Sequence, residues 1–280
     1  MKKSGTVNKK RKRKKYLIIA VIILIIVIFL YIWGFWLKTD TYKIKSDKIN
    51  KGLKIVFISD LHNCFFGGTD QSGLKKEIEK AEPDIVIFGG DVLDMVGGQK
   101  YALTLMEWSA ERYPCFYTPG NHECKRDDMD EFIDKVKETG VTVCHEDYSD
   151  LKIRGQAIRI YGVLEHHDLS WETFSVPPDD NVYTILIAHH PEQINYYLGH
   201  KIKFDLILSG HAHAGQWRIP GILDQGLYAP GQGLFPEYTN GMYTYGDTVH
   251  IISRGLAKPL RMIFIPRIFN RPELSIIEIS

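Results

Sequence analysis

Cysteine is scarce in this chain: its 280 residues include only four, and no two of them form a C-x-x-C pair. The four are Cys64, Cys115, Cys124 and Cys144. The lack of such pairs argues against a structural zinc site of the cysteine type. Because a chain of this length can bury a core without cross-links, we expect small, partly buried thiols rather than a disulfide framework.

An excess of positive charge is also missing from most of the chain. Nine of the 35 Lys and Arg residues lie in residues 1–15, which contain no acidic residue. The remainder, residues 16–280, therefore carries 26 bases against 34 acids, a net charge of −8. This balance argues against a nucleic-acid-binding surface on the body of the protein, so we predict no nucleic-acid partner.

Long apolar runs are limited to one, Tyr16 to Leu37, whose 22 residues include no charged side chain. As a helix it would measure roughly 33 Å, enough for a hydrocarbon core of about 30 Å. No small-residue A-x-A cleavage site follows it, and the apolar region of a signal peptide is usually about 7 to 15 residues. We therefore predict an uncleaved, single-pass membrane anchor, with a buried or cleaved segment as the alternative.

The distribution of basic residues around this run predicts its orientation. The basic cluster precedes the run, whereas the lysines beyond it are scattered and partly balanced by acids. By the positive-inside rule, the N-terminus is cytoplasmic and the rest of the chain is extracytoplasmic, at the outer face of the cell membrane.

Beyond residue 42, short β-rich runs alternate with helical segments, which is typical of α/β proteins. Five runs, at 53–59, 84–89, 115–119, 183–188 and 204–209, read as buried strands. Leu74, Ile78 and Ala81 recur at helical spacing, as do Met129, Phe132, Ile133 and Val136. From about residue 145, pairs of strands and a final strand at 273–279 predict a second sheet packed on the first.

Polar side chains follow each of the five predicted buried strands. They are Asp60 and His62, Asp91 and Asp94, Asn121 and His122, His189 and His190, and His211 and His213. In open α/β sheets, ligands bind beyond the carboxyl ends of the strands, so we expect these side chains to meet at one rim.

A cluster of this composition favours metal ions. Burying so many polar groups without neutralisation would cost several kcal/mol each, and multivalent cations would supply that neutralisation. On an extended segment, D-x-H places Asp60 and His62 on one face, and His211 and His213 share a face in the same way. Carboxylate, amide and imidazole donors without thiolate suit manganese, iron or zinc.

In order and spacing, five motifs resemble those of the calcineurin-like metallophosphoesterases. The motifs are Asp60-x-His62, Gly90-Asp91-x-x-Asp94, Gly120-Asn121-His122-Glu123, the His189 segment and Gly210-His211-Ala212-His213. The similarity covers roughly residues 42–280. It is closest to a bacterial membrane-anchored group, which shares SDLHN, GHAHxGQ, APGQGLFPEYTNG and RIFNRPE-like stretches.

The resemblance implies an α/β (α+β sandwich) fold, with two mixed β-sheets packed face to face, flanking helices and one preceding transmembrane helix. The corresponding domain division is 1–15 as a basic cytoplasmic N-terminus and 16–37 as the anchor. Residues 38–52 would be a short linker with the first strand, and 53–280 the metallophosphoesterase domain.

The resemblance also assigns roles to these residues. One metal ion is expected on Asp60, His62, Asp91 and His213, and a second on Asp91, Asn121, His189 and His211. The two divalent or trivalent ions, manganese first and iron or zinc as alternatives, would hold a bridging hydroxide that attacks phosphorus. His122 is expected to stabilise charge and protonate the leaving oxygen, and Asp94 to orient His122.

We therefore predict a metal-dependent phosphoesterase, with a phosphodiester favoured as substrate. A phosphomonoester, on a lipid or a phosphoprotein, is the alternative within the same class. The short tether to the anchor favours a lipid or envelope-derived phosphate. A non-catalytic sensor of metal or phosphate is the alternative from another class, although such a protein could dispense with His122 and Asp94. The sequence leaves the oligomeric state open.

His189 and His190 are adjacent, so on an extended chain they point in opposite directions and only one can face the site. In the resembling proteins one histidine follows the strand, and a variable residue separates it from a proline. This register makes His189 the ligand and His190 a rim residue, either without a structural role or, as the alternative, near the substrate.

Overall fold

A computed structural model describes residues 3–164, 178–258 and 267–280, with side chains from residue 12 onward except at 30 and 31. Of the predicted basic N-terminus, the structure therefore describes the backbone of residues 3–15 and the side chains of residues 12–15. The remaining residues form a mixed α/β fold.

Six α-helices and fourteen β-strands are present in the described ranges. The helices are α1 (Lys3–Trp33), α2 (Ser72–Ala81), α3 (Lys100–Ala110), α4 (Asn121–Cys124), α5 (Met129–Glu138) and α6 (Ile194–Leu198). The first seven strands are β1 (Lys38–Ile44), β2 (Leu53–Ile58), β3 (Ile85–Gly89), β4 (Cys115–Thr118), β5 (Thr142–Val143), β6 (Asp147–Ile153) and β7 (Gln156–Val163). The others are β8 (Tyr183–Ala188), β9 (Leu206–Ser209), β10 (Tyr228–Ala229), β11 (Gly233–Leu234), β12 (Gly241–Tyr245), β13 (Thr248–Ile252) and β14 (Glu273–Ile279).

The strands form two six-stranded mixed sheets and a small hairpin of β10 and β11. The first sheet has the order β1-β14-β2-β3-β4-β5, with β2 to β5 parallel and β14 antiparallel to β2. The second has the order β12-β13-β9-β8-β7-β6, with the four central strands parallel and both edge strands antiparallel. The parallel strands of each sheet therefore end at a common edge.

The two sheets pack face to face, and the alternation of side chains along β2 explains why. Ile55 and Phe57 point into a core shared with Ile185 and Leu208 of the second sheet. Val56 and Ile58 point the other way, into a core formed with helices α2, α3 and α5. Successive side chains of a strand face opposite sides, so a continuous apolar strand is buried on both faces.

The predicted fold class is confirmed as a mixed α/β fold with two multi-strand sheets, and the five predicted buried strands are present as β2, β3, β4, β8 and β9. The placement of the last strand was wrong: β14 lies between β1 and β2 of the first sheet, not in the second. Its Ile277 and Ile279 pack into the core between the sheets. Helix α3 was not predicted, although Ala102, Leu105 and Met106 carry the helical spacing and are buried.

Helix α1 exposes large apolar side chains from Tyr16 to Phe29. In the part of the chain that the structure describes, no helix is both long and apolar enough to cross a membrane. The residues that follow α1 contact Arg271, which lies just before β14 and whose Nε donates to the carbonyl of Trp36 at 2.9 Å. The Arg271 guanidinium also lies over the Trp33 ring, 5.5 Å from its centroid.

Candidate metal centre

The ends of five parallel strands meet at one rim, where loop backbones bind one another directly. Asp60 N donates to Gly90 O at 3.0 Å and His62 N to Asp91 O at 2.9 Å, which ties the end of β2 to the end of β3. Gly210 N donates to His189 O at 3.1 Å, which ties β9 to β8. Asp60 joins the two sheets, because its Oδ1 accepts from His211 N at 3.0 Å.

Two groups of three potential ligands lie side by side at this rim. Asp60, His62 and His213 form one group, and Asp91, His189 and His211 form the other, each with ligand atoms within 4.8 Å of one another. Asn121 and His122 line a cavity of about 240 Å³ together with members of both groups. The structure therefore brings all seven predicted ligands and both predicted catalytic residues into one place.

Asp91 occupies the centre of the cluster and reaches into both groups. Its Oδ2 lies 3.1 Å from His189 Nε2 and 3.9 Å from His62 Nε2. Its Oδ1 accepts from the backbone N–H of His122 at 2.8 Å. This position between the groups is the one that a carboxylate bridging two ions requires.

The imidazoles are oriented through their Nδ1 atoms. His62 Nδ1 lies 2.7 Å from Asp94 Oδ1, and His189 Nδ1 lies 2.8 Å from Gly89 O. The Nε2 atoms of both rings consequently point into the cluster. A partner on the second ring nitrogen is typical of metal-binding histidines, because it fixes the ring and its tautomer.

Two buried atoms of the cluster are suited to binding a cation. Among the described residues, no hydrogen-bond partner reaches His62 Nε2 or Asn121 Oδ1, although both atoms are inaccessible to solvent. A buried polar atom without a partner costs free energy. An imidazole nitrogen and an amide oxygen are both donors to Mn²⁺, Fe²⁺ or Zn²⁺, so the residues present fit such an ion.

Ionisation in the cluster is strongly perturbed. Burial raises the pKa of Asp91, but the positive charges of His189, His122 and His62 outweigh it and hold the pKa well below its usual range. Burial lowers the pKa of His189, but Asp91 and Asp60 reverse that effect and raise it to about 10. Burial and neighbouring cations lower the pKa of His211 and of His213. The positive charge that balances the Asp91 carboxylate thus comes from His189. A bound metal ion would supply that positive charge instead.

Five of the seven predicted ligands have left-handed backbone conformations, which non-glycine residues rarely adopt. They are Asp60, His62, Asp91, His211 and His213, with φ between 46° and 66°. Such conformations cost roughly 1 to 3 kcal/mol each and persist only where surrounding contacts enforce them. Gly90, with φ of 86°, is also part of this rim, and a Cβ there would lie 2.6 Å from His189 Nδ1, so a larger residue would displace the His189 ring.

The predicted catalytic pair is present, but its carboxylate is shared. Asp94 Oδ1 lies 3.6 Å from His122 Nδ1, whereas it is hydrogen-bonded to His62 Nδ1 at 2.7 Å. Asp94 therefore orients a candidate metal ligand as well as the candidate acid. Burial lowers the pKa of His122, but Asp94, Asp91 and Glu123 outweigh it and raise that pKa above its ordinary value.

His190 differs from its predicted position at the rim. It is buried, with only 4% of its surface exposed, and its ring lies 4.1 Å from the ring of His211. Pro191 begins a short turn that brings Glu192 back to His190, so that Glu192 Oε1 lies 3.0 Å from His190 Nδ1. His190, Glu192 and His211 thus form a further group of potential ligands within 4.8 Å of one another, although His190 is not among the residues that line the 240 Å³ cavity.

Two residues near the centre were missed by the sequence analysis. Glu123 is fully buried, and its carboxylate accepts from the N–H groups of Gly120, Asp91 and Leu93 at 2.6 to 2.9 Å. Lys125 lines the cavity beside His122. The only signal for Glu123 was an acid inside the G-N-H-E motif, and Lys125 lies just beyond that motif.

Among the described residues no two cysteines form a disulfide, and Cys64, Cys115 and Cys144 are buried whereas Cys124 is partly exposed. None belongs to the groups of potential ligands within the described residues. Thiolate ligation therefore plays no part in the centre as the structure presents it.

We expect the two adjacent histidines to respond differently to substitution. His189→Ala should remove the second metal ion and lower turnover by more than about 10²-fold, because a direct ligand is lost. His190→Ala should retain both ions and lower turnover by no more than about 10-fold. We do not assign His190 as a ligand, and its ring packs against the ring of His211. Metal content per chain and kcat of the two purified variants check this. Equal damage from both changes would contradict the assignment of His189.

A sequence profile described as Calcineurin-like phosphoesterase matches residues 53–215. An uncharacterized metallophosphoesterase of Helicobacter pylori is 28% identical over 255 residues, covering 83% of this chain and 64% of that protein. This chain thus spans less than two thirds of the length of that relative.

Two further relatives carry more specific names. Phosphodiesterase YaeI of Escherichia coli is 24% identical over 254 residues, covering 87% of this chain and 88% of that protein. A transmembrane protein with metallophosphoesterase domain of Danio rerio is 24% identical over 230 residues, covering 72% of this chain and 51% of that protein. The profile match extends over more than half of the chain and includes every residue of the candidate centre, and the chain therefore belongs to the calcineurin-like phosphoesterase family.

Proposed function

We propose that the protein hydrolyses a phosphate ester at a centre of two metal ions. The observation that carries this proposal is the position of Asp91, whose carboxylate lies between two groups of buried ligands beside the cavity that contains His122. The family is one of metal-dependent phosphoric ester hydrolases, which supports the same reaction. In this proposal Asp60, His62, Asp91 and His213 hold one ion, and Asp91, Asn121, His189 and His211 hold the other.

Manganese is the ion we propose first, with iron or zinc as the alternatives, because the donors are carboxylate, amide and imidazole without thiolate. When bound, the two cations would lower the pKa of the attacking water and stabilise the oxygens of an in-line displacement.

The chain's own residues would bind the substrate and move the proton. His122 faces the cluster, with Nε2 3.8 Å from Asp91 Oδ2 and a quarter of its side chain exposed to the cavity. Its raised pKa favours the protonated ring, in which Nε2 can stabilise phosphoryl charge and then donate its proton to the leaving oxygen. Asp94 contributes to this raised pKa, and Lys125 supplies a second positive charge at the cavity wall.

We propose a phosphodiester as the preferred substrate. A relative of almost the same length is named a phosphodiesterase, which supports this choice. The test compares bis-aryl with mono-aryl phosphates on the purified full-length chain with added Mn²⁺. Faster turnover of the diester is the expected result. Preference for the monoester would make the protein a phosphomonoesterase, and tight phosphate binding without turnover of either compound would indicate a sensor.

We also propose that Tyr16 to Leu37 anchor the chain in the cell membrane, with the metal centre on the extracytoplasmic side. The uncharged run, its exposed apolar side chains and a relative named as a transmembrane protein support this. A substrate lipid or envelope polymer would then lie within reach of the centre. Protease added to intact cells should cleave the domain, and a domain left untouched would contradict this orientation.

A further inference from the structure

Two side chains of the segment 267–270 are buried against the loop that carries His213, although this loop lies more than 50 positions earlier in the sequence. Arg267 and Asn270 have no exposed surface, and both bind this loop. The segment lies outside the range that matches the family profile. Its side chains are not among those that line the cavity.

The loop that carries His213 is strained. His213, Ala214, Gly215 and Gln216 follow one another with φ of 46°, 51°, 67° and 62°. Three of the four have a Cβ, and each left-handed conformation of this kind costs roughly 1 to 3 kcal/mol. A turn of this shape requires contacts from elsewhere in the fold to hold it.

Asn270 supplies those contacts. Its Nδ2 donates to His213 O at 2.7 Å and to Gln216 O at 3.1 Å, so a single amide spans the strained turn from its first to its last residue. The backbone adds a third contact, from Ile268 N to Gln216 O at 3.2 Å. These hydrogen bonds hold the backbone of His213, and the backbone sets the direction of its imidazole side chain.

Arg267 determines which way the Asn270 amide points. Its Nη1 donates to Asn270 Oδ1 at 3.3 Å, which leaves the NH₂ end of the amide facing the two carbonyls. Its Nη2 donates to Arg254 O at 2.7 Å and Gly255 O at 3.2 Å, and lies 3.2 Å from His213 Nδ1. None of these four partners is a carboxylate. The guanidinium is bound by two backbone carbonyls, an amide oxygen and an imidazole nitrogen.

We infer that Asn270, oriented by Arg267, is a positioning residue that holds His213 in the geometry needed to bind the first metal ion. The inference rests on the proposed metal centre. Asn270 does not line the cavity, and its side chain reaches His213 through the backbone carbonyl. Loss of its two donors should therefore weaken the first ion and leave the second ion in place.

The isosteric change Asn270→Asp tests this most sharply. A carboxylate there can pair with Arg267 and so retain a folded chain, but it cannot donate to His213 O or Gln216 O. Asn270→Ala is the second variant. Gln156→Ala is the matched control, because Gln156 is also a buried amide that clamps a loop, through Asn50 N at 2.7 Å and Lys51 N at 2.8 Å, away from the centre.

Full-length protein freed of metal is titrated with Mn²⁺ and followed by electron paramagnetic resonance, which distinguishes isolated from coupled ions. In Asn270→Asp, the expected result is a roughly 10- to 100-fold loss of affinity at one of two sites, with the signal of isolated Mn²⁺ replacing that of coupled pairs. Gln156→Ala should lose thermal stability without changing the ratio of the two signals.

Wild-type affinity and a wild-type coupled signal in Asn270→Asp would overturn the inference. The same change of signal in Gln156→Ala would also overturn it, since a general loss of stability would then explain both variants. A wild-type chain that binds none of Mn²⁺, Fe²⁺ and Zn²⁺ would instead overturn the proposed function, and this inference with it.

Discussion

Asp91→Asn should lower kcat for an aryl phosphodiester by about 10³-fold or more, because charge stabilisation by bound cations contributes several kcal/mol to the transition state. Asp91 is the only residue that we assign to both ions, and its Oδ2 lies between His62 Nε2 and His189 Nε2. The amide keeps the size of the side chain and removes its charge. We therefore expect the variant to fold and to bind fewer than two ions per chain.

The matched control for this change is Asp150→Asn. Asp150 is exposed on an edge strand, where it pairs with Arg159 at 2.6 Å, away from the metal centre. An exposed pair of this kind contributes little to stability, so turnover and metal content should stay at their wild-type values. If Asp91→Asn retained two ions and wild-type kcat, Asp91 would not be the bridging residue.

His122→Ala should separate catalysis from metal binding. We expect kcat to fall by about 10² to 10⁴-fold, the usual contribution of a positioned general acid, while the chain still binds two ions. The loss should be greater for a substrate with an alkyl leaving group than for one that releases p-nitrophenol, because the more basic alkoxide depends more on the proton from His122.

Metal analysis and a comparison of leaving groups on the purified variant check this prediction. His145→Ala is the control, since His145 is an exposed histidine outside the centre. Loss of a metal ion in His122→Ala would make His122 a ligand rather than an acid. An equal loss for both leaving groups would contradict its role as proton donor.

Much of the centre was predictable from the sequence because its residues follow strands that are themselves easy to recognise. Each of β2, β3, β4, β8 and β9 is a short apolar run, and parallel strands must end at a common edge. The polar residues after them could therefore be placed at one rim without knowledge of the structure.

Contacts between distant segments were not predictable. Nothing in the local pattern of residues 273–279 distinguishes a strand of the first sheet from one of the second. The same limit applies to Asp94, which contacts two histidines rather than the one assigned to it. Asn270 lies 57 positions from His213, and only the folded chain brings them together. His190 was misplaced because its burial depends on Glu192 and on the ring of His211.

The central claim is that turnover requires two metal ions held by this cluster. The most direct measurement is a titration of metal-free, full-length protein with Mn²⁺, in which ions bound per chain and hydrolysis of bis-p-nitrophenyl phosphate are recorded together. The account predicts no hydrolysis without metal and full activity only when two ions are bound. Hydrolysis by the metal-free chain, or full activity with a single ion, would contradict it.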